Sequence, residues 1–132
     1  MIDKYKYKEI TEKILKVAFE VHKELKNGFA EVVYHRAMVI ESKKQGLEFI
    51  SEYELGIYYK NEKVGARRVD LFYENKIPVE LKATSALDDV QLAQAINYLE
   101  AFNLEIGMLL NFGAKSLEYR RLYNAKYRAV IE

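Results

Sequence analysis

Apolar and polar positions follow different rhythms along the chain, and each change of rhythm marks an element. Over residues 4–26, Ile10, Ile14, Val17, Ala18, Val21 and Leu25 fall on one stripe at helical spacing. Asn27-Gly28 supplies a helix stop. A second helix is predicted over residues 30–45, ended by Gly46, with Val33, Ala37, Ile40 and Glu41 as its stripe and Met38 beside it. Residues 48–60 alternate loosely, are rich in Ile and Tyr, and read as a strand closed by a turn at Asn61-Glu62. Two apolar runs, 64–73 and 77–83, flank a polar loop and read as a β-hairpin. Residues 88–102 return to helical spacing, with Leu92, Ala95, Ile96, Leu99 and Phe102 on the buried side. The unbroken run IGMLLNF (106–112) suits a central strand covered on both faces, and 117–123 a final strand. The order αα-βββ-α-ββ predicts a single α/β domain over residues 1–132, with a mixed central sheet flanked by helices.

Composition narrows the class. Charged residues make up 31% of the chain, an ordinary globular share, so a disordered chain is not expected. Cysteine is absent, which rules out disulfides and thiolate metal sites and suits a cytoplasmic protein. The sequence shows neither the apolar stretch of a signal peptide nor the ~20-residue run that spans a membrane. The net charge of +1 is unevenly spread: acids outnumber bases thirteen to nine over residues 28–114, and bases lead at both ends. A protein that binds both a cation and a polyanion has this distribution, as do many proteins that bind neither.

The hairpin poses the chemical question. Its strands, VDLFY and IPVEL, carry Asp70 and Glu80 among apolar residues, and Lys82 follows two residues after Glu80. Buried charge is costly unless paired or bound to a metal. Strand alternation puts Glu80 and Lys82 on one face. A three-residue loop (74–76) pairs Tyr73 with Ile77 and brings Asp70 opposite Glu80, whereas a two-residue loop would part them. Two carboxylates at cross-strand distance repel, and a hard divalent cation such as Mg²⁺ removes the conflict. An ammonium beside them can orient water and stabilise charge on a phosphate. The set fits metal-assisted hydrolysis of a phosphodiester. It also fits a solvent-facing sheet edge with Arg68 and Lys82 as ion-pair partners, and the spacing alone leaves both readings open. Arg68 shares parity with Asp70, so it is a candidate for the site or for a phosphate.

Two further stretches are compatible with local structural roles. In GFAEVVY (28–34), Glu31 falls in a helix first turn, where the dipole favours it, and Tyr34 suits the core. In QAINY (94–98), Gln94 and Tyr98 are neighbours on one helix face beside the apolar stripe. His22 reads as a boundary or core residue.

Together the motifs resemble a known family. Gly28-x-x-Glu31-x-x-Tyr34 preceded by VHKEL, then VD and VELKA, QxxxYL and LLNFG, in this order over residues 8–125, look like the GxxExxY proteins of the PD-(D/E)XK nuclease-like superfamily. The resemblance implies a restriction-endonuclease-like αβββαβ core. It implies that Asp70 and Glu80 ligate Mg²⁺ or Mn²⁺, helped by the Leu81 carbonyl and by Glu31, and that Lys82 positions the attacking water. Gln94 and Tyr98 would lie near the nucleic acid. Lys26-Asn27-Gly28 replaces the family's Gly-Pro-Gly-like turn, a change in loop stiffness rather than chemistry. The expected function is metal-dependent hydrolysis of DNA; a nuclease-like accessory module that binds without cutting is the alternative. Basic groups at the ends (Lys4, Lys6, Lys8, Arg120, Arg121, Lys126, Arg128) could follow a nucleic-acid backbone. The tyrosines, Tyr5, Tyr7, Tyr53, Tyr58 and Tyr59 among them, suit either base stacking or a homodimer interface.

Overall fold

A computed structural model describes residues 6–129; Lys4 and Tyr5 lie outside them. The elements are α1 (Lys8–Leu25), α2 (Glu31–Lys44), β1 (Phe49–Tyr59), β2 (Glu62–Tyr73), β3 (Ile77–Lys82), α3 (Asp89–Ala101), β4 (Ile106–Asn111) and β5 (Glu118–Tyr123). They match the predicted order. One five-stranded sheet runs β1-β2-β3-β4-β5, with β3 and β4 parallel and the other neighbours antiparallel. The parallel step needs a crossover, and α3 provides it. No helix among the described residues is long and apolar enough to cross a membrane.

Strand alternation divides the core in two. Ile77, Val79 and Leu81 of β3, with Met108 and Leu110 of β4, pack beneath α1 and α2 against Ile14, Val17, Ala18, Val21, Tyr34 and Met38. Leu109 and Leu122 face the other way and meet Ala95 and Leu99 of α3. The α3 helix starts on a capping box: Asp88 accepts from the Gln91 backbone N–H at 2.7 Å, and the Gln91 side chain accepts from the Asp88 N–H at 3.0 Å.

The second helix departs from its predicted stripe. Ile40 is 67% exposed, and the buried row is Tyr34, Met38 and Ser42. Two of these carry hydroxyls, and of the two an apolar count passes over Ser42. Each hydroxyl is satisfied inside: Ser42 Oγ and Tyr73 Oη lie 2.7 Å apart, and Tyr34 donates to the Lys26 carbonyl at 2.5 Å. A polar group with its partner in place can be buried where an unpaired one cannot.

The strands β1 and β2 outlast the sheet. Strand β3 pairs with β2 at Leu71, Phe72 and Tyr73, and from Val69 outward β2 pairs with β1 alone. Residues 53–69 therefore form a two-stranded arm. Lys60 and Asn61, both at positive φ, make its tip turn, and Tyr58, Tyr59 and Val64 stand exposed near it.

Candidate functional site

The hairpin loop has the odd length that a joint site requires. Tyr73 pairs with Ile77 and Leu71 with Val79, so the next position out brings Asp70 across from Glu80. There the pairing between the two strands stops, and a side chain takes over. Asp70 Oδ2 accepts the Leu81 backbone N–H at 2.7 Å. Its carboxylate thus lies between the two strands rather than on one face.

The same position breaks alternation in β2. Opposite it in β1, Glu52 has a φ of 56°, and the Glu52–Asp70 pair is skipped while Ser51–Leu71 and Tyr53–Val69 remain. Leu71 packs beneath α1 and α2. Phe72 should then face α3 and Tyr53, partner of Val69, should not. Yet the Tyr53 and Phe72 rings stack at 5.1 Å, and Arg67 reaches Glu80 on the α3 side. Side chains from Val69 outward have therefore changed faces, as local irregularities in a ladder allow.

That reversal decides which arginine meets the acids. Arg67 Nη2 contacts Glu80 Oε2 at 2.9 Å, and its guanidinium lies 4.2 Å from the Tyr98 ring centre. Tyr98 Oη in turn accepts from Gln94 Nε2 at 3.1 Å. Gln94, Tyr98, Arg67 and Glu80 are thus one connected chain. Arg68, singled out by parity, is exposed on the arm and sits opposite Glu54. Regular alternation was the premise of that choice, and it fails at Asp70.

The electrostatics tie the acids together. Burial pushes the Glu80 carboxyl up to about 8; the Asp70 charge adds to this, while Arg67 and Lys82 pull the other way. Glu31 is also raised, first by partial burial and then by Asp70, with Lys82 opposing. Asp70 and Lys82 are therefore common neighbours of both glutamates. Glu31 arrives from α2 on one side of the sheet and Glu80 from the α3 side, with Asp70 between them. Among the described residues no three His, Cys, Asp or Glu side chains form a ready-made metal cluster. The Asp70–Glu80 pair fits a cation held by two carboxylates and water: its oxygens are hard donors, and their mutual repulsion is what such an ion relieves.

The scaffold fixes these groups from behind. Tyr34 Oη accepts the Phe29 N–H at 3.3 Å while it donates to Lys26, and its ring stacks on Phe112 at 4.9 Å. This fastens the turn before Glu31, where Gly28 has a φ of 114° that other residues rarely adopt. His22 Nε2 lies 3.0 Å from the Ala114 carbonyl, in keeping with a core role. Asn111 pairs in register with Lys82 and is fully buried. Its amide accepts from Thr84 N–H at 2.9 Å and Gly113 N–H at 3.0 Å, and donates to Thr84 O at 3.0 Å and Glu118 Oε1 at 2.8 Å. A Cβ at Gly113 would collide with the Ala83 and Thr84 backbone, so only glycine permits this approach.

Sequence reasoning passed over Arg67 and Asn111. For Asn111 a signal existed: an amide ending an unbroken apolar strand needs a buried partner. For Arg67 there was none, because the face reversal is not written in the local pattern. The basic ends, for their part, are engaged nearby. Lys6 bridges Glu105 at 3.0 Å, Lys126 approaches Glu100 at 3.6 Å, and Arg121 donates to the Lys6 carbonyl at 3.4 Å.

Comparison with known proteins agrees with this architecture. The family model of the PD-(D/E)XK nuclease superfamily matches residues 8–122. A crystal structure of SSO0001 is similar with a TM-score of 0.56 and 19% sequence identity, over 71% of this chain and 50% of that one. The chain spans half the length of that protein, and at this identity the likeness concerns the fold alone. No curated protein matches the sequence.

Proposed function

The chain belongs to the PD-(D/E)XK nuclease superfamily, and on that premise we propose that it is a divalent-metal-dependent nuclease of the GxxExxY type that hydrolyses phosphodiester bonds in DNA. Asp70 and Glu80, with the Leu81 carbonyl and Glu31, hold Mg²⁺ or Mn²⁺. When bound, the ion supplies neutralisation of the phosphate and a more acidic water. Lys82 orients the attacking water and stabilises negative charge as it develops on the phosphate oxygens. Gln94 and Tyr98, at the rim on α3, contact the nucleic acid. The observation that carries the reading is the Asp70–Glu80 carboxylate pair, brought together by the three-residue loop, with Lys82 two residues beyond Glu80.

The test is a Mn²⁺ titration of melting temperature on wild type and Asp70→Asn, with a DNA-cleavage assay on both. A hundredfold excess over Kd stabilises a folded protein by ~2.7 kcal/mol. A rise in wild type that Asp70→Asn lacks, together with cleavage lost in the variant, is the expected result. Equal cleavage by both proteins would reject the mechanism. Mn²⁺-saturated protein that binds DNA without cutting would favour the accessory module.

A further inference from the structure

We propose that Arg67 is an internal counter-ion for the site: its guanidinium holds the Glu80 carboxylate while no divalent cation is bound, and gives it up when one binds. This rests on the reading of Asp70 and Glu80 as metal ligands.

Three observations carry it. First, the Arg67 Nη2–Glu80 Oε2 contact at 2.9 Å uses an oxygen that a cation shared with Asp70 would draw on, and the Glu80 side chain is only 14% exposed. Water cannot take over that charge, so wherever the carboxyl is ionised a cation must stand beside it, and below about pH 8 a proton competes for the same place. Second, Arg67 has a resting place that does not depend on Glu80. Its guanidinium lies over the Tyr98 ring at 4.2 Å, and Gln94 fixes that ring's hydroxyl at 3.1 Å. The planar, weakly hydrated guanidinium can lie flat on the ring, which a strongly hydrated ammonium cannot. Third, Arg67 is incompletely satisfied where it stands. Its Nε is buried without a hydrogen-bond partner among the described residues, while the side chain as a whole is 29% exposed. A purely structural ion pair would be expected to have its buried donors paired. A side chain with a second position need not.

The consequence is competition. A positive group on Glu80 and a divalent ion on the same acid pair disfavour each other, and linkage makes the effect mutual. Arg67 lowers the affinity for the cation, and the cation loosens Arg67. The arginine thereby keeps the acids together in the empty site and sets the concentration at which the ion takes over.

Calorimetric Mn²⁺ titration of wild type, Arg67→Met, Arg67→Lys and Asp70→Asn tests this without an activity readout. Arg67→Met should bind Mn²⁺ about tenfold more tightly than wild type, within the usual range of coupling between sites. Arg67→Lys keeps the charge and should stay within a few-fold of wild type. A structural role alone predicts unchanged or weaker binding in Arg67→Met, and that result overturns the proposal. Should Arg67→Met fail to fold, a Mg²⁺ titration of wild type followed at the Arg67 Nε–Hε resonance decides. A shift that saturates with the ion supports the counter-ion role, and an unmoved resonance refutes it. Failure of the underlying reading looks different: wild type and Asp70→Asn would then bind the ion equally, or neither would bind it.

Discussion

Beneath α1 and α2, the polar side chains serve as fasteners. Ser42 meets Tyr73, Tyr34 meets Lys26 and Phe29, and His22 meets Ala114. Beneath α3 the core is smaller, and at its edge Glu80 is raised to about 8, Arg67 leaves a buried Nε unpaired, and Asp70 breaks the strand ladder. The same sheet separates the two. The hydroxyl and imidazole contacts beneath α1 and α2 hold the frame, and Arg67, Asp70 and Glu80 meet at one edge of the sheet. Perturbed, partly compensated groups of this kind concentrate at functional sites.

The sharpest way to separate the two faces is Lys82→Ala. It should lower DNA cleavage by ~10²–10³-fold, the usual size for a positioned proton-transfer or charge-stabilising group. Its melting temperature should stay near that of wild type. Cleavage that survives the change would remove Lys82 from the mechanism. On the other face, Tyr34→Ala should cost ~3–5 kcal/mol in urea unfolding, because it empties a ring-sized space and frees the turn before Glu31. A cost below ~1 kcal/mol would mean that the turn is held by something else.

The distinction also has a pH signature. The folded Glu80 carboxyl sits at about 8, against an ordinary value of 4.5. Between these values the unfolded chain gives up its proton while the folded one keeps it. The stability from this group is therefore complete below pH ~4.5 and is lost as pH rises through about 8. Metal-free wild type should melt progressively lower from pH 5 to pH 8.5, and Glu80→Gln should flatten that slope. A wild-type slope unchanged by the substitution would place its origin elsewhere. The smallest effect belongs to Tyr73→Phe. Its phenol is pushed up to about 12 by burial and shares one hydrogen bond with Ser42. Losing that bond should cost ~1 kcal/mol, read by thermal unfolding.

Much of the fold was legible because its strongest signals are periodic. The α1 stripe and the unbroken β4 run each follow from spacing that tertiary structure had no reason to override, whereas the loop length that joins the acids is settled only by the strand register. The α2 face was misread at Ile40, since Ser42 is buried through a hydroxyl partner, Tyr73, that lies far along the chain. The acids and Lys82 stood out as charges in apolar strands. Arg67 did not, because its place depends on a face reversal caused by backbone irregularity at Glu52 and Asp70. Alternation predicts where side chains point only while the ladder is regular.

The arm that leaves the sheet at Asp70 bears on how this chain can vary over evolutionary time. Beyond Val69 only β1 and β2 pair, so residues gained or lost in matched sets at the tip lengthen or shorten the arm without disturbing what lies at its base. The loop at 74–76 has no such freedom. One residue more or less there would turn Glu80 to the opposite face. Length variation is therefore expected to collect at Lys60-Asn61, and that end is where a foreign segment can be grafted onto this protein.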